Sequence, residues 1–331
     1  MIDLSIIIPT YNRKNTLKKS LDIIINEIRP VKNNVELIVI DNNSEDNSFT
    51  LINEFKKQNN DINFIIYKQD YNKGFIGNIK KGLELSKGEF LWLLSDDDFP
   101  VEGTLEYIIQ LITKDIFCIY LGNNSNNPEF SYNIIAKEIL LKKYMHALTK
   151  ISILIFKNHS SLSHIFDKFP NNDFIGFLLF LESFKHAKED KCIEFKQNHL
   201  DQNYERSKFD FFKTWGRDMN ECVAFMSTMI HDKDLIENFK IKYINGPLKY
   251  HYLNFRLGQY PHLDYKKLEA EKLLNKVYAK NQAFVNEVEP YFSKSNTYIK
   301  VIYSFKKLKN KLKNIKNKLW NGNSQNNHYN H

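Results

Sequence analysis

LSIIIPTYN, residues 4–12, decides how this chain folds. Its apolar run is unbroken, β-branched at the centre and ended by Pro9, the pattern of a strand buried on both faces. Thr10-Tyr11-Asn12 then forms a loop. From Lys14 to Ile28 the residues Leu17, Leu21, Ile24, Ile25 and Ile28 recur at helical spacing. VELIVI, residues 35–40, is a second buried strand that empties into Asp41-Asn42-Asn43-Ser44. The result is a βαβ unit. A helix over 48–58, a strand over 63–67, a Gly-containing loop over 71–77, a helix to Ser86 and a strand over 89–94 extend it. Strands alternating with helices predict an α/β fold, a mostly parallel sheet flanked by helices.

Ligands bind such sheets at the carboxyl ends of the strands. Three predicted loops meet there, carrying Thr10-Tyr11-Asn12, Asp41-Asn42-Asn43 and Ser95-Asp96-Asp97-Asp98. Three adjacent carboxylates repel one another unless a cation offsets them, and oxygen ligands suit Mg²⁺ or Mn²⁺. An Asp-rich run after a strand is equally a turn or a helix cap. Convergence with two other polar loops favours the metal corner.

Beyond Asp98 the pattern predicts a helix over 104–113, a strand over 116–121, an Asn-rich loop over 122–130 and a buried strand over 151–156. Asp173 reads as the cap of a helix running to about Ala187, with a turn at Glu189-Asp190 and a strand over 192–195. From about Trp215 onward the chain reads as mainly helical.

The 331 residues exceed a usual single domain. Cys118, Cys192 and Cys222 are widely spaced and odd in number, which argues against a disulfide framework or a zinc site and for a cytoplasmic setting. The start has no signal-peptide pattern, and no stretch reaches the ~20 apolar residues of a spanning helix. The net charge of +8 has a local source. Nine lysines and no acid lie beyond Pro290, which leaves 38 basic against 39 acidic residues in the rest. The basicity therefore belongs to the tail. There Ile302, Phe305, Leu308, Leu312, Ile315 and Leu319 form one apolar stripe among lysines, ended by Trp320. Such a helix lies on an anionic membrane or packs its stripe on protein; nucleic acid is not an expected partner.

The blocks LSIIIPTYNR (4–13), ELIVIDNNSEDNS (36–48) and NKGFIGNIKKGLELSKGEFLWLLSDDD (72–98) resemble the nucleotide-sugar-binding half of family 2 glycosyltransferases, which have the GT-A fold. The likeness is strong to about residue 105 and weaker to about 215, where it resembles bacterial O-antigen and capsule sugar transferases. It implies a nucleotide-sugar-binding half over 1–105 and an acceptor-binding half over 106–215; the pattern of the residues beyond gives a mainly helical extension over 216–295, a basic amphipathic helix over 296–320 and a disordered end over 321–331. By the same resemblance Pro9, Thr10, Tyr11, Asn12 and Asn43 line the nucleotide pocket and Asp41 accepts a hydrogen bond from the base. Lys73 and Gly74 lie beside the nucleotide, with Gly77 and Lys80 in the same loop and helix start. Asp96 faces the ribose, Asp97 holds Mn²⁺ or Mg²⁺, and Asp98 supports it. Two positions depart from the family: Ser95 stands where an acid is usual, and Ile79 where an arginine often is.

The implied reaction moves a sugar from a nucleotide-sugar donor, UDP favoured over dTDP or GDP, to a glycan or lipid-linked acceptor, with inversion. A carboxylate should take the acceptor's proton. The family's acidic pair would fall near Phe177 and Leu178, which cannot serve, so Asp173 and Glu182 are the candidates. Asp173 has a helix cap as its competing role; Glu182 has that of a buried partner or a solvent-facing residue. The expected location is cytoplasmic, peripheral on the inner face of the membrane. The competing readings are a sugar-phosphate nucleotidyltransferase, which lacks support in a Gly-rich basic loop after the first strand, and a nucleotide- or membrane-binding module with a degenerate sheet domain.

Overall fold

A computed structural model describes residues 2–112, 115–122, 131–145, 147–196, 200–202, 212–260, 266–302 and 304. By compactness these divide into one unit within Met1–Ser207 and Asp218–Phe239 and a second within Lys208–Arg217 and Lys240–His331.

The first unit alternates strand and helix as its sequence predicts. In chain order it holds β1 (Leu4–Thr10), α1 (Lys14–Ile28), β2 (Val35–Asp41), α2 (Ser48–Gln58), β3 (Asn63–Lys68), α3 (Gly74–Leu85), β4 (Phe90–Leu93), β5 (Asp98–Pro100), α4 (Thr104–Leu111) and β6 (Ile116–Tyr120). β7 (Tyr132–Ala136), α5 (Lys137–Tyr144), β8 (Leu154–Lys157), α6 (Ser163–Lys168), α7 (Ile175–His186), β9 (Lys191–Phe195), β10 (Leu200–Gln202) and α8 (Met219–Ser227) follow. Eight strands form one mixed sheet in the order β3-β2-β1-β4-β8-β6-β9-β7. The β3-β2-β1-β4 half is parallel throughout, whereas β8 runs antiparallel to both β4 and β6. Every residue of β1, β2 and β4 is buried, which is why these strands read as continuous apolar runs rather than alternating ones.

The chain leaves β1 for β2 and β3 on one side and returns to β4 on the other. The carboxyl ends of β1 and β4 are therefore the topological switch point, where such sheets open a crevice. Helix α1 buries Leu17, Leu21, Ile24, Ile25 and Ile28, the stripe its spacing predicts. Near its end the buried Glu27 carboxylate accepts from Gly103 N at 2.9 Å and Leu105 N at 3.0 Å, satisfying otherwise orphan amides at the start of α4.

Local differences from the sequence reading have local causes. The expected strand over 151–156 is a 3₁₀ turn, Ile151–Ile153, followed by β8. Ser152 bends it: its carbonyl accepts from Trp92 Nε1 at 2.7 Å and its hydroxyl from Ser95 N at 2.9 Å. β5 and β10 are three-residue strands too short for an apolar signature of their own, and they pair antiparallel with each other; β7, also absent from the sequence reading, pairs antiparallel with β9 at the sheet's edge. Asp173 does not cap α7. The cap position is Phe174, without a side-chain bond, and Asn172 Oδ1 accepts from Phe174 N at 2.9 Å instead.

The second unit is helical: the end of α9 (Lys233–Tyr243), then α10 (Lys249–Arg256), α11 (Lys267–Tyr278) and α12 (Gln282–Glu287). Its centre is Arg256, which donates to Tyr252 Oη at 2.9 Å, Tyr291 O at 2.9 Å and Lys294 O at 2.6 Å. Burying a guanidinium is costly unless its donors are met by such a set of acceptors. Residues 296–302 begin a helix, while the lysine-rich stripe from Phe305 to Trp320 and the end beyond it lie outside the described residues.

Candidate active site

The two central parallel strands β1 and β2 end in side chains that bond to adjoining loops. Thr10 and Asp41 are register partners at the ends of β1 and β2. Thr10 Oγ1 donates to Asp96 Oδ2 at 2.7 Å, joining the end of β1 to the loop after β4. Arg13, one residue ahead of α1, donates from Nη1 to Asp96 Oδ1 at 2.8 Å and to Asp97 Oδ2 at 3.0 Å. Ser95 Oγ donates to Asp97 Oδ1. Two adjacent carboxylates are thus held in register by one guanidinium and two hydroxyls at the switch point.

The electrostatics follow from burial. Asp96 is 3 % exposed, and burial pushes its carboxyl above the ordinary range, against the hydrogen bond from Thr10 and the charge of Arg13. For Arg13 burial works against the charge, and attraction to Asp96 and then Asp97 outweighs it, so its pKa is raised. Asp98 is set apart from this pair. It heads β5, bonds to Ser152 and is pushed up to about 6, chiefly by burial.

A second layer is built from asparagines, and it shapes the loops after β2 and β3. Asn12, Asn43 and Asn47 sit at positive φ of 52°, 63° and 65°, a region asparagine enters more readily than most residues. Asn12 N donates to Ser44 Oγ at 2.9 Å, and its own Oδ1 accepts from Glu45 N at 2.8 Å. Asn42 Oδ1 accepts from Lys73 N at 2.8 Å, while its Nδ2 donates to Asn72 Oδ1 at 2.7 Å. Asn72 Oδ1 also accepts from Gly74 N at 2.9 Å; Gly74 opens α3 at φ 72°, where a Cβ would strain the backbone. Asn78, buried on α3, donates to Thr10 O at 3.3 Å and Ile40 O at 3.1 Å, tying the ends of β1 and β2 together.

Within this frame Asp41 is fully buried. Its Oδ2 accepts from Ser44 N at 3.0 Å, and its Oδ1 has no hydrogen-bond partner. A buried acceptor left unmet costs about 1–3 kcal/mol, so this oxygen is a ready receiver for a donor N–H. Pro9 is buried in β1, while Tyr11 at 40 % exposure stands beside Thr10. Lys73 is exposed with its ammonium 5.2 Å from the Tyr71 ring centre.

The two carboxylates proposed for base catalysis are separated. α7 starts against the switch-point edge, for a Cβ built on Gly176 would stand 3.4 Å from Leu93 Cδ1 and 2.8 Å from Ile151 Cγ2. Asp173 lies three residues ahead of that glycine, its amide bonded to the buried Asp218 at 2.9 Å. Glu182 lies two turns further along. The next residue, Ser183, donates to Lys157 O, and Lys157 pairs with Phe90 at the start of β4. Glu182 is therefore at the amino edge, 3.0 Å from His186 Nε2, and is not brought to the aspartates. His251 belongs to the second unit, bonded to Tyr260 Oη at 2.5 Å and lowered to about 4 by burial.

Reading the sequence alone placed Asn42 in the converging loop after the second strand but missed Arg13, Asn72 and Asn78 as parts of the site. Arg13 was visible directly after the loop Thr10-Tyr11-Asn12, and Asn72 and Asn78 flank the Gly-containing loop. Every ligating atom at the aspartate corner is an oxygen, which fits a hard divalent ion. Among the described residues no group of three or more His, Cys, Asp or Glu surrounds a common point. The fit is that of an ion held by one or two carboxylates and completed by substrate phosphates and water, as Mg²⁺ commonly is.

With the geometry in hand, similarity to known proteins is specific. Residues 5–164 match the family model described as glycosyl transferase family 2. The chain is 30 % identical over 157 residues to GalNAc(5)-diNAcBac-PP-undecaprenol beta-1,3-glucosyltransferase of Campylobacter jejuni, covering 46 % of this chain and 50 % of that one. It thus spans about half the length of that curated relative. Among solved structures, S. aureus TarS 1-349 in complex with UDP superposes with a TM-score of 0.61 at 15 % identity, over 88 % of this chain and 82 % of that one. The mannosyltransferase PcManGT of Pyrobaculum calidifontis, in complex with GDP-Man and Mn2+, superposes with a TM-score of 0.51 at 12 % identity, over 92 % and 79 %. The mixed sheet, its switch-point corner and the family match agree: this chain carries a glycosyl transferase family 2 domain built on the GT-A fold.

Proposed function

We propose that the protein is an inverting, metal-assisted glycosyltransferase that moves a sugar from a nucleotide-sugar donor, UDP-linked by preference, to a lipid-linked glycan of a bacterial surface polysaccharide. The observation that carries this reading is the Thr10–Asp96–Arg13–Asp97 corner at the switch point. Its carboxylates have the chemistry to face a ribose and a cation-bound diphosphate. The unmet Oδ1 of Asp41 supports base recognition, since uracil, thymine and guanine each present a ring N–H and a carboxylate accepts one. Tyr11 and Asn12 would flank the base, and Pro9 and Asn43 would shape the pocket wall. Lys73 and Gly74 would border the phosphates.

Asp97 would hold Mn²⁺ or Mg²⁺ with Asp98 behind it, and the ion when bound supplies Lewis-acid neutralisation of the leaving diphosphate. The remaining chemistry belongs to the chain. Asp96, already fixed by Thr10 and Arg13, would orient the ribose without reorganising at the moment of reaction. Asp173 is the proposed base, taking the acceptor hydroxyl's proton as the sugar's anomeric carbon is attacked. Glu182 has no part in this.

The lipid-linked acceptor rests on the Campylobacter relative, whose name specifies an undecaprenol diphosphate-linked oligosaccharide. UDP as the carrier rests on the S. aureus neighbour crystallised with UDP, and the ion on the Pyrobaculum neighbour crystallised with Mn2+. Among the described residues no helix is long and apolar enough to cross a membrane. Access to a lipid-linked acceptor would then come from peripheral association at the inner membrane face through the lysine-rich tail, a role that rests on its sequence.

The experiment is a thermal-shift panel of UDP-, dTDP- and GDP-sugars with Mn²⁺ or Mg²⁺, since a bound donor stabilises by mass action. One donor is expected to raise Tm only with metal present, and Asp97→Ala to erase the shift. A panel with no shift for any donor would overturn the reading.

A further inference from the structure

The positive charge at the aspartate corner comes from a side chain that can leave it. Arg13 reaches Asp96 and Asp97 through a single nitrogen, Nη1, at 2.8 Å and 3.0 Å, and its side chain is 27 % exposed. Asp96 retains the Thr10 hydroxyl and Asp97 the Ser95 hydroxyl if the guanidinium moves away. Of the two lysines in the loop and helix start beside the predicted phosphate position, Lys73 is exposed on the far loop, 5.2 Å from the Tyr71 ring centre, and Lys80 faces away. Lys80 Nζ lies 3.7 Å from Asp167 and lines a cavity with Gly88 and Glu89 at the amino edge. Ile79, where the family resemblance leads to an arginine, is fully buried and apolar.

A guanidinium and a divalent cation cannot both sit against the same carboxylate oxygens without mutual repulsion. We propose that Arg13 is an exchangeable countercharge: it holds Asp96 and Asp97 in register in the empty site, yields Asp97 when the cation enters with the nucleotide, and then turns its guanidinium to the diphosphate. This makes Arg13 a nucleotide-binding residue as well as an organiser of the empty site, and it gives the aspartate corner a phosphate-binding cation that Ile79 does not provide. A planar guanidinium suits both partners, since carboxylate and phosphate offer it the same paired oxygens. The consequence is coupling. Metal alone binds poorly because it must displace Arg13, whereas metal with nucleotide binds well because the displaced guanidinium gains a new anion.

The inference rests on the donor-site reading above, and one set of titrations separates the two. Free Mn²⁺ is followed by its electron paramagnetic resonance signal, on the full chain, with and without UDP, for the wild type, Arg13→Gln and Arg13→Lys. Arg13→Gln is expected to bind Mn²⁺ alone about tenfold more tightly than wild type, and to bind UDP in the presence of Mn²⁺ about tenfold more weakly. A purely structural role would weaken both. Arg13→Lys, whose point charge cannot pair with two phosphate oxygens in parallel as a guanidinium can, is expected to move both affinities the same two ways by about threefold, and decides the matter if Arg13→Gln does not fold. Unchanged or weaker binding of Mn²⁺ alone, or unchanged UDP binding, would overturn the inference. If wild type fails to retain Mn²⁺ even with saturating UDP, the donor-site reading itself fails.

Discussion

The two ends of β1 solve the same problem in different ways. At the amino end Ser5 Oγ donates to Glu36 Oε1 at 2.6 Å; at the carboxyl end Thr10 Oγ1 donates to Asp96 Oδ2 at 2.7 Å. Both carboxylates are buried, and each edge holds one carboxylate oxygen without a partner, Glu36 Oε2 and Asp41 Oδ1. What differs is the rest of the shell. Glu36 is closed in by backbone, accepting from Lys87 N at 2.5 Å while Gly88 N donates to Ser5 Oγ at 2.8 Å. Asp96 is met by Arg13, a partly exposed side chain that also holds Asp97. Backbone amides cannot leave; a guanidinium can. On the reading proposed above, a buried carboxylate serves structure where its partners are fixed and function where one of them is exchangeable.

The largest effect should come from the carboxyl end. Asp97→Ala is expected to lower turnover of the cognate UDP-sugar by about 10³-fold, the scale of several kcal/mol of lost charge stabilisation, while the denaturation midpoint stays near wild type. UDP release in a coupled assay, paired with a urea melt, checks both. A large loss of stability with unchanged turnover would reverse the assignment of the two ends. Next, Asp173→Asn is expected to cost about a hundredfold in turnover, the low end of general-base contributions, with donor affinity unchanged by calorimetry. Loss of donor affinity instead would make Asp173 a part of the donor pocket.

The amino end should respond in stability. Glu36→Ala takes the acceptor from the buried Ser5 O–H and from the part-buried Lys87 amide and leaves a cavity between the strands, at a cost of about 3 kcal/mol. A shifted urea midpoint with intact UDP affinity is the expected pair of results, and weakened UDP binding in a still-folded variant would break the comparison.

How much of this was legible follows from what each residue's signal is made of. β1, β2 and β4 announce themselves because strands buried on both faces are apolar nearly throughout, with paired polar residues near their ends, and the expected alternation with α1, α2 and α3 matches the structure. The loops at their carboxyl ends were placed correctly by topology alone, since strand order fixes the switch point. Arg13 was not legible as part of the corner, because pairing Arg13 with Asp96 spans 83 residues and depends on loop conformation rather than periodicity. Asn78 was hidden for a similar reason: its donors reach backbone carbonyls of β1 and β2, and a carbonyl has no residue identity to read. β5 and β10 are three residues each and exist through their mutual pairing.

Glu182 gives the smallest effect and the sharpest control. It shares α7 with the residues that follow Asp173, so helical proximity alone would give both a role in the chemistry. The structure separates them by direction along the sheet, because Ser183 is bonded to the strand residue that pairs with the start of β4. At that edge Glu182 meets His186 at 3.0 Å, and His186 stacks on His159 with ring centres 4.7 Å apart. Glu182→Gln keeps an oxygen for His186 Nε2–H, so the expected stability change is within about 1 kcal/mol and turnover should match wild type. The measurement is kcat with the acceptor saturating, which isolates proton removal from binding. A tenfold loss there would place chemistry at the amino edge, and the distinction between fixed and exchangeable partners would then no longer separate the two ends of β1.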